Sequence, residues 1–314
     1  MMEKENHPIT GICSFGKYPI AADLDNLKAD VGVLGVPYDL GVGFLSGTRF
    51  GPRRIREAST QYGRGTRGYY DPDYDEVFLG APWRIVDCGD ADIVNGDVDA
   101  SFNSIEESVR SIVRQGVTPA IMGGDHSISI PIAQALDDYT DLTVIQLDAH
   151  LDWSMGPGGK KKGNGSPMRR MSEMNHIKKM AQIGLRGIGS SMKEDFEEAR
   201  SFGSTLVTAK EAKKMGMEAV TKRIPPSAHY YVTIDIDVCD ITLAPGTGSP
   251  MPGGFHWEEL NQLLELIAHK GNVVAFDLVE VAPQYDPAGT TCRVAAMIML
   301  NFIGHILKKR EIEA

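Results

Sequence analysis

Apolar segments rich in β-branched residues alternate along this chain with stretches of helical periodicity. Short apolar runs that end in turn residues predict buried strands at 29–37, 83–87, 118–122, 142–147, 183–185, 230–236 and 273–281, with a further short strand around Leu206. Apolar positions at helical spacing predict helices at 99–115, 128–136, 209–215, 257–269 and 295–310. Strands that alternate with helices favour an α/β fold, in which helices cover both faces of a mostly parallel sheet.

The chain of 314 residues is long enough to form one large core, and no linker, repeat or change of composition divides it. We expect an N-terminal arm at residues 1–22 and a single functional domain at residues 23–314. Open parallel sheets bind ligands at the carboxyl ends of their strands. The turns that follow the predicted strands are therefore the places to search for chemistry.

The net charge of −10 disfavours nucleic acid and anionic membranes as partners, because both attract basic surfaces. No apolar run approaches the roughly 18 residues of a membrane span, and the N-terminus lacks the apolar stretch of a signal peptide. The four cysteines form no C-x-x-C pair, which is typical of reduced thiols; they are Cys13, Cys88, Cys239 and Cys292. These features predict a cytoplasmic protein.

Carboxylates and imidazoles follow three of the predicted strands. The strand at 142–147 runs into D-x-H-x-D, the strand at 230–236 ends in D-x-D, and the strand at 118–122 is followed by an Asp-His pair. Because side chains alternate along extended chain, each alternating set faces one side. The residues concerned are Asp125, His126, Asp148, His150, Asp152, Asp235 and Asp237.

Carboxylates crowded in this way repel one another unless cations neutralise them. Oxygen ligands combined with two imidazoles suit Mn²⁺ and also accept Zn²⁺, Co²⁺ or Ni²⁺. The set is large enough for two ions that share carboxylates, and such pairs lie ~3.5–4 Å apart and lower the pKa of a bridging water. A single D-x-D is most often a turn or a cap, but three clusters at strand ends favour a metal centre.

The same segments resemble the ureohydrolase family, which includes arginases, agmatinases and guanidinobutyrases. The resemblance covers nearly the whole chain and is carried by G-V-P-Y-D at 35–39, S-G-T-R-F-G-P at 46–52, G-G-D-H-S at 123–127, D-A-H-L-D at 148–152 and A-P-G-T-G at 244–248. Agmatinase-like members are more similar than arginases. The resemblance implies a three-layer α/β/α sandwich with a mostly parallel, about eight-stranded sheet, a homotrimer or homohexamer, and two divalent ions. Mn²⁺ is the expected metal, with Ni²⁺ or Co²⁺ as alternatives.

The resemblance also implies a role for each site residue. One metal would be held by His126, Asp148, Asp152 and Asp235, and the other by Asp148, His150, Asp235 and Asp237, so that Asp148 and Asp235 bridge. Hydroxide bridging the metals would attack the guanidinium carbon of the substrate, and Asp152 would pass its proton to the leaving nitrogen. Glu280 would hold the planar guanidinium through a charge-assisted contact.

Asn164 stands where the family usually has a histidine that contacts substrate and moves protons. An amide forms hydrogen bonds but cannot shuttle a proton near pH 7. Asp152 or His176 would then protonate the leaving group, unless the alignment shifts in this loop. We therefore expect Asp152, Glu280 and Asn164 to be catalytic.

Residues 153–166 form the longest glycine-rich loop, directly after the D-x-H-x-D cluster. We expect Trp153 to bind substrate together with Glu280 and Asn164, although a core position explains this tryptophan equally well. The run at 160–162 consists of three lysines, which would either receive an anionic substrate tail or simply face solvent.

The expected function is hydrolysis of a small guanidino compound to urea and an amine. Agmatine-like compounds, guanidino acids and related guanidines all fit the resemblance. Two alternatives remain: hydrolysis of a formimino C–N bond on the same site, and a non-catalytic subunit that keeps the ureohydrolase fold.

Overall fold

The computed structural model describes residues 7–63, 67–159, 161–189 and 191–313, which form a central sheet of eight strands. The strands of this sheet are β1 (Val31–Gly35), β4 (Ile85–Asp90), β5 (Thr118–Met122), β6 (Leu142–Leu147), β7 (Ile177–Leu185), β8 (Thr205–Thr208), β9 (His229–Asp235) and β10 (Asn272–Val279). They lie in the order β4-β1-β5-β10-β9-β6-β7-β8, and all neighbours are parallel. A separate antiparallel hairpin consists of β2 (Tyr69–Asp71) and β3 (Glu76–Phe78).

Helices cover both faces of the sheet. Within the described residues they are α1 (Gly51–Ser59), α2 (Val98–Arg114), α3 (Ser129–Gln134), α4 (Pro167–Ser172), α5 (Lys193–Phe202), α6 (Ala209–Met215), α7 (Met217–Arg223), α8 (Trp257–Lys270) and α9 (Thr290–Glu313). Helices α2 to α5 share one core with one face of the strands, and α1 and α6 to α9 share another. Neighbours such as Val33 and Leu34 in β1 belong to opposite cores, as the alternation of a strand requires. The predicted three-layer fold is confirmed.

The sequence missed the elements whose apolar signal is weak. Helix α5 buries only Ala199 among its ten residues, so it presents no apolar stripe to recognise. Strand β7 begins at Ile177, well before the predicted 183, because Lys178 and Lys179 interrupt its apolar run. Helix α9 begins at Thr290 instead of 295. Helices α1 and α7 and the hairpin were also not predicted.

The described part of the N-terminal arm packs against the edge strand β4. The backbone N–H of Ala21 donates to the Asp87 carbonyl at 2.9 Å, and that of Asp87 donates to the Pro19 carbonyl at 2.8 Å. Phe15 is fully buried, and its backbone N–H donates to the Asp87 carboxylate at 2.7 Å. The arm thus covers an edge that would otherwise present unpaired backbone groups.

One helix of the described chain, α9, is long and apolar enough to cross a membrane when judged by length and composition alone. However, 78% of its apolar window is buried inside the protein. It packs against α1, α8 and β10, so its apolar surface belongs to the core.

Candidate metal centre

The candidate site lies at the carboxyl ends of four adjacent central strands, β5, β10, β9 and β6. Strand β6 leads into Asp148, His150 and Asp152, and β9 leads into Asp235 and Asp237. The turns after β5 and β10 supply His126 and Glu280, respectively. Because parallel strands end at the same edge, residues far apart in sequence meet there.

Two sets of donor atoms converge at this edge, and Asp148 belongs to both. His126 Nδ1 lies 2.9 Å from Asp152 Oδ2 and 3.1 Å from Asp148 Oδ2. His150 Nδ1 lies 2.9 Å from Asp237 Oδ2 and 3.5 Å from Asp148 Oδ1. In each set the donor atoms lie within 4.8 Å of one another. The geometry therefore suits two cations that share the Asp148 carboxylate.

Asp235, which we expect to bridge the two metals, lies beside these sets without belonging to either of them, and its bridging role stays a prediction. Its Oδ2 is 3.4 Å from His126 Nδ1, while its Oδ1 accepts a hydrogen bond from the backbone N–H of Asp237 at 2.8 Å. The Asp125 carboxylate belongs to neither donor set; it accepts hydrogen bonds from the backbone N–H groups of Ser127 and Gly41. Asp125 thus caps the turn that carries His126.

The tautomer of His126 is set by a buried hydrogen-bond chain behind it. Asp277 Oδ1 accepts the hydroxyl proton of Thr233 at 2.7 Å, so the Thr233 oxygen must accept from His126 Nε2, 2.9 Å away. Tyr231 and Ser129 also donate to Asp277. A neutral His126 therefore directs the lone pair of Nδ1 toward carboxylate oxygens, an arrangement that is favourable only with a cation between them.

The electrostatics of the cluster support the same conclusion. Burial alone would lower the pKa of His126, but Asp152, Asp148 and Asp235 raise it well above the usual histidine value. Burial and the neighbouring carboxylates raise the pKa of Asp152, Asp235 and Asp237. Protons thus compete for the positions at which divalent cations would neutralise the cluster.

A second buried chain, which the sequence analysis missed, supports the carboxylates after β6. Gln146 Nε2 donates to Asp148 Oδ2 at 2.7 Å and to Asp152 Oδ2 at 3.3 Å. Gln182 Nε2 in turn donates to Gln146 Oε1 at 2.7 Å, and Ser204 donates to Gln182 at 2.9 Å. A polar residue inside an otherwise apolar strand was the available signal, both for Gln146 and for Thr233.

Asp152 and Glu280 both adopt left-handed backbone conformations, with φ of 53° and 64°. Such angles are unfavourable for residues with a side chain and persist where surrounding contacts hold them. The Glu280 N–H donates to the Gly124 carbonyl at 2.9 Å, and the Asp152 carbonyl accepts from the N–H groups of Met168 and Arg169 at 3.1 and 3.3 Å. These contacts hold both turns.

Glu280 and Asn164 meet at the wall of a cavity of about 400 Å³ that opens onto the cluster. Glu280 Oε1 accepts hydrogen bonds from the backbone N–H of His126 at 2.9 Å and from Asn164 Nδ2 at 3.1 Å. Burial raises the pKa of the Glu280 carboxyl. The Thr247 hydroxyl is buried at the same cavity without a hydrogen-bond partner among the described residues.

For two features of the loop after Asp152 the structure favours one of the alternatives that the sequence left open. Trp153 is 3% exposed, packs against Phe202 with ring centroids 5.9 Å apart and does not line the cavity, so it is a core residue and not a pocket wall. Lys162 pairs with Asp99 and lies over the Phe102 ring, so it points away from the cavity. Lys160 lies outside the described residues.

Comparison with known proteins shows similarity over nearly the whole chain. The arginase family model matches residues 29–304. The agmatinase of Bacillus subtilis is 36% identical over 292 residues, covering 92% of this chain and 96% of that protein. The guanidinopropionase of Pseudomonas aeruginosa is 32% identical over 299 residues, covering 93% and 91%. Among solved structures, the proclavaminate amidino hydrolase of Streptomyces clavuligerus matches with a TM-score of 0.82 at 29% identity, covering 96% of this chain and 99% of that one.

Proposed function

The chain belongs to the arginase family of hydrolases that cleave guanidino C–N bonds, and from this premise we propose that it releases urea from a small guanidino compound with two divalent ions. The resemblance to ureohydrolases noted in the sequence is thereby confirmed. The observation that carries the proposal is the position of His126 Nδ1, which lies within 3.4 Å of three carboxylates beside a cavity with a buried glutamate.

The donor set fits a pair of divalent cations. His126, Asp148 and Asp152 would hold one ion, and Asp148, His150 and Asp237 would hold the other, with Asp235 beside His126. When bound, two ions would supply hydroxide near neutral pH by lowering the pKa of a coordinated water. Mixed imidazole and carboxylate ligands favour Mn²⁺, with Ni²⁺ or Co²⁺ as alternatives.

The protein's own side chains orient the substrate. Both hydrogen bonds to the Glu280 side chain fall on Oε1, which leaves Oε2 for the guanidinium N–H groups. Burial disfavours the charged form of the Glu280 carboxyl. A bound guanidinium cation would favour the charged form again, because opposite charges attract. Asn164 holds the carboxylate from the cavity side, and Asp152 accepts a proton from the attacking water and carries it toward the leaving nitrogen.

The lining of the cavity favours a short and uncharged substrate tail. Apart from the candidate metal ligands and Glu280, the described lining residues carry no charge; they are Asn164, Gly165, Ile188, Gly189, Thr247, Ser249, Pro250 and Met251. A tail with a carboxylate or an ammonium group would find no counter-charge there. The same observation disfavours a formimino amino acid, whose carboxylates would also need cationic partners.

A urea-release assay with three matched guanidines tests this proposal. N-Butylguanidine, agmatine and 4-guanidinobutanoate have similar chain lengths but neutral, cationic and anionic tails. With Mn²⁺, Ni²⁺ or Co²⁺ bound, we expect every compound that is hydrolysed to release urea. We expect kcat/KM to be at least about tenfold higher for the compound with the neutral tail, equivalent to ~1.4 kcal/mol.

The outcomes separate the parts of the proposal. A preference for a charged tail would contradict only the inference about the tail. Full metal loading without urea from a wider panel of guanidines would contradict the reaction itself and would favour the non-catalytic subunit. The cytoplasmic location and the homotrimeric or homohexameric state stay predictions, and size-exclusion chromatography with light scattering tests the latter.

A further inference from the structure

A second cavity, of about 340 Å³, lies between the β2–β3 hairpin and the helices α8 and α9. We call it the aromatic cavity and define it by the rings of Tyr62, Tyr69, Tyr70, Phe78, Trp257 and His305. It shares no lining residue with the cavity at the metal centre. Nothing in the proposed hydrolysis uses it.

The electrostatic character of the aromatic cavity favours a cation. Asp71 and Asp73 line it, and its described lining contains no lysine or arginine. Asp71 Oδ1 accepts the backbone N–H of Asp73 at 2.9 Å, and within the described chain neither carboxylate forms an ion pair. The faces of aromatic rings carry negative potential and attract cations within about 6 Å.

His305 adds an unsatisfied polar atom to this lining. Its side chain is 3% exposed and makes edge-on contacts with Tyr74 and Phe78, whose ring centroids lie 5.4 and 5.6 Å away. Nε2 is buried and, within the described residues, has no hydrogen-bond partner. Buried polar atoms are normally hydrogen-bonded, and a bound ligand with an N–H group would supply the missing partner of this imidazole nitrogen.

We propose that the aromatic cavity binds a small organic cation that carries N–H donors, namely an alkylammonium or an alkylguanidinium. The rings would surround the alkyl and charged groups, the two carboxylates would neutralise the charge, and an N–H would donate to His305. A bare metal ion does not fit, because Asp71, Asp73 and His305 are not among the described residues whose ligand atoms lie close enough together to hold one. The volume of about 340 Å³ lies at the lower end of the range of small-molecule pockets.

The proposal of a cation site is argued from the residues of the aromatic cavity alone. Only the identity of its natural ligand rests on the proposed function. The substrate of that reaction is a guanidinium and its amine product is an ammonium. Both the substrate and the amine product therefore have the positive charge and the N–H donors that the aromatic cavity would bind.

Tryptophan fluorescence gives a local readout of binding. Of the three tryptophans, Trp257 lines the aromatic cavity, whereas Trp83 and Trp153 line neither cavity. The full-length metal-loaded protein is titrated with butylammonium, butylguanidinium and 1-butanol, which share one alkyl chain. We expect a saturable change with the two cations and none with the alcohol, and the tighter cation identifies the source of the ligand.

Matched variants locate the signal. Tyr70 is 63% exposed, so Tyr70→Ala should fold normally, and Asp73→Asn keeps the shape of its side chain. We expect each variant to weaken binding by about tenfold. In Glu280→Gln protein, whose metal-centre cavity has lost its guanidinium-binding carboxylate, we expect the fluorescence change to persist with unchanged affinity.

Three results would overturn the proposal. They are equal binding of 1-butanol, unchanged affinity in both Tyr70→Ala and Asp73→Asn, and loss of the signal in Glu280→Gln. Because fluorescence reports binding without turnover, these results are independent of whether the urea-release assay succeeds.

Discussion

The two cavities each contain a buried histidine, and their surroundings give these histidines opposite properties. His126 faces three carboxylates, which raise its pKa well above the usual value despite burial. His305 lies among aromatic rings, and burial lowers its pKa to about 4. Both side chains are at most 3% exposed. Burial alone therefore does not determine what a histidine does; the atoms that face its ring nitrogens do.

The same contrast separates ligand classes. The metal centre concentrates carboxylate oxygens and imidazole nitrogens, which bind small hard or borderline cations. The aromatic cavity offers ring faces and, among its described lining residues, two carboxylates, which suit a larger organic cation. Four substitutions test this contrast between the two cavities.

Asp148→Ala removes the carboxylate that both donor sets share. We expect metal content to fall from two ions per chain to fewer than one, and urea release to fall below about one-thousandth of normal, equivalent to ~4 kcal/mol. Elemental analysis and the urea assay measure these effects. Asp138→Ala, at an exposed position nearby in sequence, is the control. Normal turnover by Asp148→Ala would contradict the site assignment.

His305→Phe should change how stability depends on pH. The unfolded chain protonates histidine near pH 6.5, whereas folded His305 protonates only near pH 4. The wild-type protein should therefore lose stability as pH falls from about 6.5 to 4, by up to ~3 kcal/mol from this group, and His305→Phe should lack that part. Denaturant unfolding at several pH values measures the difference, in which contributions from the metal centre cancel.

The exposed His256→Asn serves as the control for this measurement, because His256 is not among the charged groups that shift the pKa of His305, and it should keep the wild-type loss of stability. Parallel stability curves for wild type and His305→Phe would show that His305 titrates normally. They would also remove the contrast between the two histidines.

Thr233→Val breaks the hydrogen-bond chain that fixes the tautomer of His126. We expect metal affinity to fall by about 10- to 100-fold, as is typical when the partner of a ligating histidine is lost. Thr143→Val on the adjacent strand β6 is a matched control, because the buried Thr143 hydroxyl has no hydrogen-bond partner among the described residues. Equal metal affinity in the two variants, measured by competition with a chelator, would refute the tautomer argument.

Asn164→Ala removes the hydrogen bond that reaches Glu280 from the cavity side. Hydrogen bonds to charged groups contribute about 1.5–3 kcal/mol, so we expect kcat/KM to fall by about tenfold or more while two ions remain bound. Steady-state kinetics and elemental analysis check both parts. Loss of metal in this variant would place Asn164 in the metal centre instead of at the substrate.

The sequence located the candidate metal-site residues more accurately than it located several helices and strands around them. D-x-H-x-D and D-x-D directly follow strongly apolar strands, so local pattern alone located Asp148, His150, Asp152, Asp235 and Asp237. The order of the strands then brought His126 and Glu280 to the same edge. Trp153 was harder to place, because local sequence does not say on which side of a turn a large side chain will pack.

Features that depend on contacts distant in sequence were not predictable. The left-handed conformation of Asp152 depends on helix α4, and the chain from His126 through Thr233 to Asp277 joins three strand regions. The aromatic cavity combines a hairpin near residue 70 with His305. In each case the sequence around one residue does not indicate which distant residue it will contact.

The turn at Asp152 couples the metal centre to helix α4. Its side chain contacts His126, while its carbonyl accepts the first free N–H groups of helix α4, those of Met168 and Arg169. When the carboxylate is fixed, that carbonyl is fixed as well, and the start of the helix loses freedom to open. Deuterium uptake at these two amides should therefore slow as the site fills, which would make helix α4 a reporter of occupancy that requires no substrate.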